Sequence, residues 1–323
     1  GSPYLNLTLS PSIHCPSAPV AVCCLLNPGL NCIFCNGITL PIYAFLLLYN
    51  AEFMKLFFSG GLPKSGSNMI KNILSQNNKI AIYPYSPFVD VINNIKSDLF
   101  IKETVKNRNV ETFEKCIKTF LNQGLVGWAQ GLNKETTIYI DDNRNWLGNL
   151  ENIENVFEGK MIIFIKDLKS IINSLENIYI NKVDYSKTFP DSFYQYFPHN
   201  KQLQRVIKFF DMDFLKISLT GINRIIEEKN IKNYHFICYE HFIANPKLEL
   251  KKIYNFLNEK YFNHNLNNIN ISYNYPLSHI PYGKVRHFNK VEKQIDNKNN
   301  LNKECISYIE TQFKWFYDYF YKT

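Results

Sequence analysis

The sequence predicts an α/β fold: a parallel central sheet with flanking helices. Three observations predict it. From Met54 onward, short apolar runs alternate with helix-length amphipathic segments, the pattern of strands joined by crossover helices. Each run is followed by a polar turn and then by a helical stretch. The 323 residues are 46% hydrophobic and 15% aromatic, enough apolar matter for a packed core, and this excludes disorder throughout.

The expected strands are Lys55–Ser59, Thr137–Ile140, Met161–Ile165 and Tyr234–Tyr239, and the helices that follow them are Ser67–Gln76, Leu147–Val156, Leu168–Tyr179 and Pro246–Leu257. Phe262–Asn274 and Ile295–Asn302 are Asn-rich and read as irregular, and Glu304–Tyr321 reads as a final aromatic-rich helix used for core packing. Ligands of such sheets gather outside the carboxyl ends of the strands, which is where the polar motifs fall.

Residues 1–53 differ from the rest. They hold no Lys or Arg, one carboxylate (Glu52), six of the 14 Pro and five of the eight Cys, which marks a boundary between a leader (1–53) and one domain (54–323). Gly1-Ser2 and Ala51-Glu52-Phe53 read like junction residues, so the native chain is expected to start at Met54. The most apolar stretch, Ile38–Tyr49, is shorter than the ~20 residues of a membrane-spanning helix, contains Pro41 and lacks a basic flank. A membrane anchor is therefore disfavoured. Cys32 and Cys35 form one Cys-x-x-Cys without a matching second pair, which argues against zinc. The remaining Cys116, Cys238 and Cys305 form no disulfide framework and favour a reducing, cytoplasmic compartment. A formal charge of +8 suits an anionic ligand, but the lysines are dispersed, which places nucleic acid behind a small phosphate-bearing molecule.

The run Gly60-Gly61-Leu62-Pro63-Lys64-Ser65-Gly66-Ser67-Asn68 follows the first strand and opens a helix, so backbone N–H groups and the helix dipole converge on an anion. Counted from Gly61, its spacing matches a nucleotide-triphosphate loop, but Ser67 stands where that motif needs Lys and Asn68 where it needs the Mg²⁺ ligand. Lys64, three residues upstream, suits a donor with one 5′-phosphate; the other reading is an ordinary strand-to-helix turn. Leu62-Pro63-Lys64-Ser65-Gly66-Ser67 resembles the 5′-phosphosulfate loop of the sulfotransferase family, which uses 3′-phosphoadenosine 5′-phosphosulfate (PAPS) and releases the bisphosphate PAP. The resemblance covers roughly Leu56 to Lys290 through several short ordered motifs and implies the P-loop-like fold of that family.

It implies roles residue by residue. Lys64, Ser65, Gly66, Ser67 and Asn68 would hold the 5′ end. Lys166 and Ser174, eight residues apart, are similar to the family's 3′-phosphate pair, with Lys in place of the usual Arg, which keeps the charge and gives up the bidentate fork. The bland alternative is that Asp167 caps a helix and Ser174 meets solvent. Tyr239, in Tyr239-Glu240-His241-Phe242 through Phe256-Leu257, would lie near the nucleotide. In Tyr282-Gly283-Lys284-Val285-Arg286, similar to a late basic loop of the family, Arg286, or Lys284 as substitute, would close over the 3′-phosphate; a solvated basic loop is the other reading. Asp141-Asp142-Asn143-Arg144-Asn145-Trp146 looks like a bacterial-type Asp-x-Asn-Arg-x-Trp motif and makes Asp141 the base candidate, unless Asp141 and Arg144 pair to fix the loop. Neither His241 nor His287, the only histidines in matched motifs, occupies a catalytic position.

The implied chemistry is in-line displacement at sulfur. Asp141 would take the proton of an acceptor hydroxyl or amine while Lys64 stabilises charge on the bridging oxygen, and no metal is required. The small-molecule acceptor is left open, its pocket falling to Tyr83–Leu132 and Val183–Asp213, and so is the oligomeric state. Two competing readings stand beside this one: a P-loop small-molecule kinase, and a nucleotide-binding protein of the same fold without catalysis.

Overall fold

A computed structural model of the chain describes residues 54–97, 110–132, 136–180, 201–229, 231–269, 289–292 and 299–322. All of them belong to one compact unit, Met54–Thr323. The expected leader (1–53), the basic stretch with Lys284 and Arg286, and residues 183–200 of the stretch expected to face the acceptor lie outside the described residues.

Five parallel strands form the sheet: β1 (Lys55–Gly61), β2 (Ile80–Pro84), β3 (Ile138–Asp142), β4 (Lys160–Ile165) and β5 (Tyr234–Cys238), in the order β2-β3-β1-β4-β5. The chain runs from central β1 to β2 and β3 on one side, then crosses to β4 and β5 on the other, so the switch in direction lies beside β1. Crevices at such switch points, outside the carboxyl ends of the strands, are where α/β sheets take ligands.

The helices among the described residues are α1 (Ser67–Leu74), α2 (Phe88–Ser97), α3 (Val110–Leu132), α4 (Leu168–Ile180), α5 (Gln202–Asp211), α6 (Asp213–Glu227), α7 (Tyr239–Ala244), α8 (Pro246–Phe256), α9 (Lys303–Gln312) and α10 (Lys314–Phe320). They cover both faces of the sheet, and this explains why the strands read as unbroken apolar runs. In β4, Met161, Ile163 and Ile165 pack toward α4, α5 and α6, while Ile162 and Phe164 pack toward α1 and α8. At about 1.5–3 kcal/mol for each large side chain removed from water, these five residues make β4 a principal support of the fold.

The chemistry of single residues sets the ends of the elements. Asn245 accepts from the Leu248 amide at 3.3 Å and precedes Pro246 at the first position of α8. Asn302 caps α9 in the same way, through the Cys305 amide at 2.8 Å. Arg205 of α5 is clamped in two-pronged fashion on Glu176 of α4 (3.0 and 2.9 Å), and both side chains are buried.

Several expectations are corrected. The edge strand β2 was not anticipated: it is five residues long and ends in Pro84, which an edge strand tolerates. β3 extends through Asp142 and places both acidic residues in the strand. Tyr239 opens α7 rather than closing β5. The helix expected at Leu147–Val156 is replaced by a 3₁₀ turn, Arg144–Gly148, and a π turn, Asn152–Val156. Polar Asn side chains compete for the backbone there: Asn143 accepts from the Asn145 amide at 2.9 Å, and Asn149 Nδ2 donates to the Asn145 carbonyl at 2.9 Å. The final aromatic helix is divided at Phe313 into α9 and α10, and Phe316 and Phe320 enter the core as expected.

Candidate functional site

The loop between β1 and α1 is built from unusual backbone. Gly61 has φ 149°, and a Cβ there would lie 2.4 Å from the Phe164 carbonyl oxygen; Leu62 N–H donates to that same oxygen at 2.9 Å. The loop is thus pressed onto β4. Lys64 takes φ 58°, uncommon for a residue with a Cβ, and Gly66 takes φ 75° at the N-cap of α1. Gly66 offers no side-chain cap and the first turn of α1 holds no acid, so the residues of α1 itself leave its positive N-terminal end uncompensated.

Gly66 also packs directly under Tyr239, whose Cδ2 would be only 2.5 Å from an added Cβ. On the same ring lies Lys166, its Nζ 4.6 Å from the centroid. The structure therefore brings together Gly66 from the end of β1, Lys166 from the end of β4 and Tyr239 from the end of β5. Lys166 is 6% exposed, and among the described residues no carboxylate pairs with it. Ser65, 1% exposed, carries a hydroxyl with no hydrogen-bond partner among the described residues. A buried cation and a buried unbonded hydroxyl beside an uncapped helix end suit a phosphate-bearing ligand.

The other members of the expected donor set are placed less tightly. Ser67 and Asn68 form the half-buried first turn of α1, and Lys64 is half-buried in the loop. Ser174 sits half-buried on α4, with no hydrogen bond joining it to Lys166 or Tyr239. Asp167 caps α4, its Oδ2 accepting from the Ser170 amide and hydroxyl at 3.0 Å each.

At the end of β3 the picture is different. Asp141 is fully buried: Oδ1 accepts from Trp146 Nε1 at 2.7 Å and Oδ2 from the Tyr139 hydroxyl at 3.0 Å. Burial pushes its pKa up to about 6, against the opposing pull of hydrogen bonds from Ser86, Trp146 and Tyr139. Arg144 does not meet Asp141; its Nε donates to the Gly61 carbonyl at 3.1 Å, which the Ser218 hydroxyl also reaches at 3.1 Å. Asp142 accepts from Ser59 at 2.7 Å and from Lys71 of α1 at 2.6 Å in a buried ion pair.

Sequence reasoning missed Lys71, Ser59 and Asp142 as a unit. The available signal was a lysine inside the buried run Met69–Leu74. It also missed Tyr317 and Tyr321, whose i, i+4 spacing in the last helix was the only trace.

Within the stretch expected to line an acceptor pocket, Tyr83 at the end of β2 meets Trp128 of α3 edge to face, centroids 5.6 Å apart. Among the described residues no three metal-binding side chains cluster, no helix is long and apolar enough to cross a membrane, and Cys116, Cys238 and Cys305 are free thiols.

No family model matches the sequence, and no curated protein matches it. Among solved structures the chain is similar to the sulfotransferase domain from the curacin biosynthetic pathway, at 14% identity and TM-score 0.46 over 81% of this chain and 98% of that one. It is also similar to the sulfotransferase domain from the Synechococcus PCC 7002 olefin synthase (13% identity, TM-score 0.41, 66% of this chain and 76% of that one). A sulfotransferase from Alicyclobacillus acidocaldarius is a third, at 12% identity and TM-score 0.39 over 68% and 85% of the two chains.

Proposed function

We propose that the chain is a sulfotransferase that moves a sulfuryl group from PAPS to a hydroxyl or amine of a small molecule. The observation that carries this reading is the Gly66–Tyr239–Lys166 contact, with the unbonded Ser65 hydroxyl beside it. A nucleotide with phosphates at both the 3′ and 5′ positions explains two anion-binding groups at neighbouring strand ends; a nucleoside triphosphate needs only the first.

Bound there, PAPS supplies an activated sulfuryl group and departs as PAP. In this reading the amides of the α1 N-terminus, with Ser65, Ser67 and Asn68, hold the 5′ end. Lys64 stabilises negative charge at the bridging oxygen. Lys166 holds the 3′-phosphate, Ser174 is a second contact for it, and Tyr239 backs the nucleotide. Lys284 and Arg286, outside the described residues, are the proposed closing contacts. The free thiols favour a reducing, cytoplasmic setting.

Asp141 takes a changed role. Both its oxygens already accept hydrogen bonds and its side chain is buried, so we assign it to holding Trp146 and the Arg144 turn against Gly61. A proton acceptor must reach the acceptor atom directly or through one water. That same observation favours a second reading, a protein that binds the bisphosphate without turnover.

The test is a thermal-shift titration with PAP beside AMP and Mg·ATP, followed by an acceptor screen with labelled PAPS. Saturable stabilisation by PAP alone supports the donor site, and label transfer separates enzyme from binder. A response only to Mg·ATP replaces the reading with a kinase.

A further inference from the structure

Lys166 and Tyr239 are each followed by an acid, Asp167 and Glu240, an arrangement that by itself works against an anion site. A carboxylate left uncompensated at either position would compete through its charge with a phosphate for the Lys166 ammonium. The structure answers this with two tyrosines from far along the chain. Tyr317 of α10 donates its hydroxyl to Asp167 Oδ1 at 2.9 Å, and Tyr321 donates to Glu240 Oε2 at 2.8 Å.

The other two oxygens are also occupied. Glu240 Oε1 accepts from the Asp167 amide at 3.1 Å, bridging the ends of β4 and β5, and Asp167 Oδ2 caps α4. Among the described residues, another cation beside Asp167, Lys169, is paired with Glu310 at 2.7 Å and lies over the Tyr317 ring. Burial, reinforced by the neighbouring carboxylates, holds both phenols well above their ordinary pKa, so they stay protonated donors. The rings of Tyr317 and Tyr321 lie 5.8 Å apart on one helix face, anchored beside the core residues Phe316 and Phe320.

We propose that Tyr317 and Tyr321 are positioning residues of the donor site: they occupy the Asp167 and Glu240 carboxylates and so leave Lys166, carried on the Tyr239 ring, to the 3′-phosphate. This inference rests on the PAPS reading above. A charge-assisted hydrogen bond lost at each acid leaves a carboxylate less compensated one residue along from Lys166 and from Tyr239, and the expected consequence is selective for ligands with a 3′-phosphate.

The experiment compares the full chain with its Tyr317→Phe/Tyr321→Phe form, measuring the Kd of PAP and of AMP by calorimetry. The expected result is a PAP Kd raised about tenfold with the AMP Kd within about twofold. Adding Glu240→Gln to Tyr321→Phe removes the competing charge and is expected to restore most of the PAP affinity, which a merely structural tyrosine would not allow. Unchanged PAP binding, an equal loss for both nucleotides, or failure of the Glu240→Gln rescue overturns the proposal. Should the double variant not fold, the single Tyr321→Phe form and its rescue decide alone. Wild-type protein that does not prefer PAP over AMP defeats the PAPS reading itself and with it this inference, whereas preserved wild-type preference with an unaffected variant defeats only the inference.

Discussion

The two ends of the sheet's polar rim are built on opposite principles. Beside β1 and β4, the Ser65 hydroxyl has no hydrogen-bond partner among the described residues, and buried Lys166 rests on an aromatic ring. At the end of β3, two adjacent carboxylates have every oxygen accounted for, Asp141 by Trp146 and Tyr139 and Asp142 by Ser59 and Lys71. Burial without a partner costs free energy that a ligand can return, while a completed network mainly fixes geometry. The difference separates a region whose hydrogen bonds fix geometry from one that leaves a buried hydroxyl and a buried cation without such bonds among the described residues.

Breaking the completed region should damage the fold first. Asp142→Ala strands Lys71 in the interior, and a stability loss of about 3–5 kcal/mol is expected in urea unfolding. Replacing both partners with apolar residues of similar size should recover much of it; a small loss in the single variant would show that the pair is not buried in solution.

Asp141 gives a pH test of the same region. Burial raises its pKa from 3.8 to about 6, so the folded state binds the proton more tightly than the unfolded chain. The sign follows: its contribution is most favourable below about pH 4 and declines as pH rises to about 6, by about 3 kcal/mol in all. Asp141→Asn should remove that decline, and parallel stability–pH curves for the two proteins would refute the assignment.

The unsatisfied corner should respond in binding rather than stability. Lys166→Met is expected to weaken PAP by about 10- to 100-fold, to leave AMP little changed and to keep the melting temperature, read by calorimetry and thermal unfolding. Ser65→Ala should have the smallest effect, about three- to tenfold in PAP affinity, with stability unchanged or higher because an unbonded buried hydroxyl is gone. A Ser65→Ala protein that melts lower would move Ser65 into the completed class.

How much of this was legible follows from the range of the signals. β1, β3, β4 and β5 were readable because strands covered on both faces leave dense apolar runs. The loop around Lys64 and Gly66 was readable because its residues are contiguous. β2 escaped because five residues ending in Pro84 carry little periodicity. The Lys71–Asp142 pair joins residues 71 apart and the Tyr317–Asp167 bond residues 150 apart, separations at which no local pattern reports a partner. Asp141 shows the converse: its motif was visible, but whether its oxygens were spoken for depended on Tyr139 and Trp146 folding onto the same face.

The bonds from Tyr317 and Tyr321 join the ends of β4 and β5 to residues made well after them. All five strands precede residue 239, so the sheet and its loops can emerge from the ribosome while the hydroxyls that hold Asp167 and Glu240 are still untranslated. In the proposed donor site, nucleotide capture would then wait for residues 317 and 321 after the five strands have been made.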